Sequence, residues 1–310
     1  MKKSISLIVF LVLILSQTIY SQTKKGFNLA NSSIPLDEIK DGGPPKDGIA
    51  SIDQPKFIAA TKTQLNDNDR ILGVFKNGIA KAYPISILNY HEIVNDYFKS
   101  DPVVVTYCPL CGSGIAFNAL VSDEPRTFGV SGLLYNSDVL LYDRETQSLW
   151  SQLRYEAISG KSLGENLKMI PTVNTTWGDW VNEHPNTLVL SFNTGFNRDY
   201  SRNPYPGYDK SAAIYFEVSE TDSRYHPKET IIGIQINAQA KAYPFSELEK
   251  LKGKKLKDTF QGEVFTIEYK PKSKSAMVYN SNDELVPAVT NFWFAWYAFH
   301  PKTEVYSFQE

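Results

Sequence analysis

Cysteine is nearly missing: the 310 residues include two, Cys108 and Cys111. That excludes a disulfide framework as the source of stability. An excess of charge of one sign is missing too. A net charge of −2 leaves no basic footprint, so no nucleic-acid partner is expected. Long apolar runs are absent save one, the nine residues 7–15, against the roughly 20 that span a bilayer. Lys2 and Lys3 precede this run and Ser21 follows it. The pattern reads as a secretory signal peptide over 1–21, with an uncleaved anchor as the alternative. The protein is expected to be exported, periplasmic or extracellular, with no membrane span in the mature chain.

What the chain does have is aromatic side chains (18 Tyr, 17 Phe, 5 Trp) and turn formers, with 18 Gly and 17 Pro. Such a composition favours strands and turns. It also carries an internal likeness. Residues 71–88, "ILGVFKNGIAKAYPISIL", match 231–248, "IIGIQINAQAKAYPFSEL", at 10 of 18 positions. Further on, "DPVVVTYCPLCGSGIAF" parallels "GEVFTIEYKPKSKSAMVY", and "WGDWVNEHP" parallels "WFAWYAFHP". Asn77-Gly78 between alternating apolar residues predicts a hairpin. "ISILNYHEIVNDYF" predicts a short helix, and so does "TWGDWVNEHP", capped by Thr and closed by Pro185. The expected fold is α+β, strand-rich, with two unequal internal repeats, the second shorter and lacking the Cys/His site. The expected organisation is an N-terminal arm over 22–65, a first repeat over 66–192, a Tyr/Pro/Gly-rich loop over 193–230 and a second, degenerate repeat over 231–310.

Six stretches together resemble one family: "PLDEIKDGGPPKDGI", "AKAYPISILNYHEIVND", "VTYCPLCGSGIAF", "TFGVSGLLYNSDVLLYDRETQSLW", "TGFNRDYSRNPYPGYD" and "NFWFAWYAFHP". The chain is similar to the bacterial domain-of-unknown-function family numbered 3179, over nearly all of the mature length. The resemblance implies no activity, so function has to come from the residues.

The second copy places Lys270 and Ser273 opposite Cys108 and Cys111, and no histidine opposite His91. Residues that only a scaffold needs would recur, as Ala-Tyr-Pro and the His-Pro pairs at His184 and His300 do. Cys108, Cys111 and His91 are therefore the candidate functional set. Cys-Pro-Leu-Cys-Gly has the form of a metal knuckle, and Cys₂His with an open position suits zinc, or equally copper(I). Glu92, Asp96, Asp143 and Arg144 are candidates to complete or orient that shell. Arg198 and Arg202, in the Tyr-rich loop, can clamp an anion. "FGVSGLLYNSD" reads as hairpin turns, with pocket lining as the alternative. The leading expectation is an exported metal-binding protein, catalytic or metal-handling. One alternative is a thiol–disulfide oxidoreductase using the pair. Another is a ligand-binding module stapled by a disulfide. Whether the protein is an enzyme is open at this level.

Overall fold

In a computed structural model, which describes residues 23–309, Asn77-Gly78 turns the chain between strands Arg70–Lys76 and Ile79–Pro84. Both turn residues have positive φ, 54° and 77°, as a type I′ turn requires. Thr230–Ile236 and Gln239–Pro244 form a second hairpin around Asn237-Ala238, with the same two-residue loop. Pro84 and Pro244 end their strands and cap short helices, α1 (Ile85–His91) and its later counterpart Phe245–Glu249. The shared Ala-Lys-Ala-Tyr-Pro motif has a structural role in each place. Asp96 accepts from Lys81 Nζ at 2.8 Å and Tyr83 Oη at 2.6 Å. Asp258 does the same for Lys241 at 2.6 Å and Tyr243 at 2.9 Å.

The α+β expectation is corrected. Strand makes up 41% of the described residues and helix 11%, so the fold is all-β. Among the described residues no helix forms a layer: each of the four α-helices is one or two turns long and follows a strand. Five sheets of three to five strands stand in a five-bladed, propeller-like arrangement, in place of two unequal repeats. The internal likeness is expressed sheet by sheet: each hairpin is flanked by an antiparallel strand, Thr172–Thr176 or Val289–Phe292, and by a parallel one, Leu188–Leu190 or Glu304–Val305.

Two of these sheets position the site. One contains Asp101–Cys108 paired with Ser113–Asn118, and the other contains Phe128–Tyr135 paired with Asp138–Asp143. Val103, Val104 and Val105 are buried, which explains the unbroken apolar run. Asn95 locks the two sheets together. Its Nδ2 donates to Phe128 O at 2.8 Å and its Oδ1 accepts from Phe128 N at 2.9 Å. The expected signal peptide, 1–21, lies outside the described residues. Among those residues no helix is long and apolar enough to cross a membrane.

Candidate metal centre

Cys108 ends its strand opposite Ser113, so Pro109, Leu110, Cys111 and Gly112 form the turn between them. Gly112 has φ +63°, and a Cβ there would lie 3.0 Å from the Phe292 ring. Only glycine fits both demands. Phe292 N donates to Cys111 O at 2.8 Å, which fixes the turn from the far side. Both cysteines are free thiols, and both lie near one carbonyl: Ser137 O is 3.8 Å from Cys108 Sγ and 3.4 Å from Cys111 Sγ.

That carbonyl belongs to the Asn136-Ser137 turn, closed by the Tyr135–Asp138 pair, with φ of 50° and 64°. Asn136 Nδ2 donates to Ala298 O at 3.2 Å, and its Oδ1 accepts from Ser219 N at 2.8 Å. The turn delivers Asp138 to the thiols. One donor atom from each of Cys108, Cys111 and Asp138 lies within 4.8 Å of the others, a group that could hold a metal ion. Exposures of 1%, 0% and 0% seal it from solvent. Asp138 Oδ2 accepts from Leu153 N at 3.0 Å, while Oδ1 is buried with no partner.

Burial sets the protonation of the group. It pushes the Asp138 carboxyl up to about 7. It also raises the Cys108 thiol, and lifts Cys111 well above the ordinary thiol range. Glu92 caps α1 with φ 57°, and burial followed by the Asp138 charge pushes it up to about 8. The neutral forms are therefore favoured until a cation enters, and a cation would displace the protons.

The structure does not bring His91 into this group. Its Nδ1 lies 2.7 Å from Ala50 O, so that nitrogen carries the proton, and its Nε2 accepts from Tyr200 Oη at 2.6 Å. Both nitrogens are engaged, and the ring tilts against Phe196 at 4.9 Å. Asp96 belongs to its Lys81–Tyr83 triad. Asp143 accepts from Thr146 N, Thr146 Oγ1 and Trp150 Nε1, which shapes its own loop. Arg144 pairs with Asp53 at 3.0 Å and donates to Ser51 Oγ at 2.8 Å. Arg198 and Arg202 line one cleft of about 760 Å³ beside Tyr200.

The group that reading by residue did not single out is Asp138. Its signal was present in "YNSDVLLY": a two-residue turn followed by an acid that opens an apolar strand, where it must be buried. The cover of the site is also non-local. Tyr208 belongs to the apolar cluster that contains both cysteines, and Tyr205, Ile214, Phe216 and Val218 pack against it.

A family model described as "Protein of unknown function (DUF3179)" matches residues 46–285. The chain belongs to this family. No curated protein and no solved structure matches it. The span that carries the family likeness includes all three donors of the cluster, together with the 193–230 cover.

Proposed function

We propose that this is an exported metalloprotein that holds one divalent ion, zinc, on Cys108, Cys111 and Asp138. The observation that carries the reading is Asp138: a sealed carboxylate with one oxygen within 4.8 Å of both sulfurs, and with its Oδ1 left without a hydrogen-bond partner. A buried polar atom left bare is costly, and a cation satisfies it together with two thiolates. A carboxylate in place of an imidazole moves the preference away from copper(I), which seeks soft donors, and towards zinc. Three protein donors leave a fourth position open. Glu92, a buried acid that feels the Asp138 charge, is the candidate to fill it. In an oxidising compartment, a bound ion also keeps the two thiols from joining.

Two observations weigh against dithiol cycling. Redox cysteines are exposed and have a lowered pKa, whereas these are buried and raised. Their motif opens a strand, Ser113–Asn118, where thioredoxin-like sites open a helix. Free thiols weigh against a structural disulfide. Cobalt substitution tests the reading. Stoichiometric Co²⁺ with a sulfur-to-cobalt charge-transfer band is expected in wild type, and a weakened band in Asp138→Asn. A spectrum with no thiolate character overturns it.

A further inference from the structure

Beside the thiol hairpin lies a separate cavity of about 530 Å³, with Tyr107 and Gly112 on one wall and Asn291 and Phe292 on another. Its inner surface carries two cations that no carboxylate answers. Lys228 is 5% exposed; its ammonium donates to Ala213 O at 2.7 Å and sits 4.1 Å from the Tyr208 ring centroid. Arg70 donates to Ser273 O at 2.6 Å, Lys274 O at 3.3 Å, Asn174 O at 2.9 Å and Asn174 Oδ1, all neutral oxygens. Among the described residues neither cation forms an ion pair. Buried charges are ordinarily paired.

A third observation is independent of charge. Asn291 is 1% exposed, and neither its Oδ1 nor its Nδ2 has a partner. A buried amide bare at both ends marks a place where something else supplies the bonds. The acids that line the cavity make no ion pair with these cations: Asp209 and Glu249 are exposed, and Glu229 accepts from Ser246 N at 2.8 Å. Tyr107, Tyr269, Phe245 and Phe292 give the walls flat apolar faces.

We infer that this cavity is a binding site for a small carboxylate with a planar apolar body, held by Lys228 and Arg70 through its charge and by Asn291 through its polar edge. The carboxylate answers the two cations and accepts from Asn291 Nδ2, and the planar body lies against the aromatic walls. The inference does not depend on a metal.

Calorimetric titration of the wild-type protein with benzoate, benzamide and benzylamine tests it. Benzoate is expected to bind at least about tenfold more tightly than either neutral or cationic probe, a factor worth 1.4 kcal/mol. Lys228→Met is expected to lose that preference and Lys228→Arg to keep it. Asn291→Leu guards against a folding artefact. Replacing a bare buried amide by an isosteric apolar group is expected to raise the thermal midpoint while weakening benzoate. Equal binding of the three probes, no benzoate binding at about 20 mM (a Kd weaker than the millimolar range), or benzoate affinity untouched by both Lys228→Met and Asn291→Leu would each overturn the inference.

Discussion

Asp138 and Asp96 are both buried aspartates, and their surroundings separate their roles. Asp96 is saturated: Lys81 and Tyr83 use both oxygens. Asp138 keeps one oxygen bare beside two sulfurs. The first is a scaffold residue, and its removal leaves Lys81 charged and alone. Asp96→Ala is expected to cost about 3–5 kcal/mol in urea unfolding. Asp258→Ala should cost less, because the Lys241–Asp258 pair is more exposed, at 12%/18% against 8%/6%. Equal losses would contradict this ordering. Reading by residue set Asp96 among the candidates for the metal shell; the signal that would have marked it as scaffold is the aspartate that recurs at Asp258. The role of Asp138 was not legible in the sequence, because nothing local says that a turn at 136–137 from one sheet meets a turn at 109–112 from another.

At the level of elements, hairpins were the most readable feature. Asn77-Gly78 and the alternation around it specify a two-residue turn by steric rules that act within a few residues. The short helices behind Pro84 and Thr176 follow from equally local rules, although the first stops at His91 and Ile93–Phe98, expected to continue it, is a strand. The position of the 193–230 loop obeys none of these, because its aromatic residues find partners far away in sequence. One attachment explains His91. Thr194 Oγ1 and Tyr200 Oη are 2.6 Å apart, and Tyr200 Oη is 2.6 Å from His91 Nε2, so the start of the loop is tied to the end of α1. The same loop covers the thiols. Tyr200→Phe removes both hydrogen bonds of that hydroxyl, about 2 kcal/mol together, so modification of Cys108 and Cys111 in the metal-free protein by an aromatic disulfide should speed up about thirtyfold. The midpoint of global unfolding should move far less. A labelling rate that tracks only global unfolding would show that the tie does not hold the cover.

Across the whole molecule, the α+β expectation failed because short helices with clear local signals were given the weight of a layer. Sheet packing decides the architecture, and helices of five to seven residues only close its corners. The buried acids give the metal-free protein an unusual pH response. Burial raises Asp138 to about 7 and Glu92 to about 8, against about 4 in the unfolded chain. The folded state therefore binds more protons than the unfolded one, and stability is lost as pH rises through those values. His300, lowered by burial to about 4, acts the other way: its contribution is present above about 6.5 and lost as pH falls. Lys228, lowered by burial to about 8, also acts the other way, and its contribution grows as pH rises through that value; between about pH 6.5 and 7.5 the carboxyls outweigh it, so the thermal midpoint of the metal-free protein should fall with rising pH. Asp138→Asn and Glu92→Gln should flatten that fall. A bound divalent ion should reverse it, because metal binding expels protons and strengthens as pH rises. The central claim is that the aspartate, and not the histidine, shares an ion with the two thiols. Elemental analysis of protein purified without a polyhistidine tag under reducing conditions tests it most directly. Wild type and His91→Ala are expected to carry about one zinc per chain, and Asp138→Asn and Cys108→Ser to lose it. Zinc retained by Asp138→Asn and lost by His91→Ala, or no metal in any of them, would contradict the account.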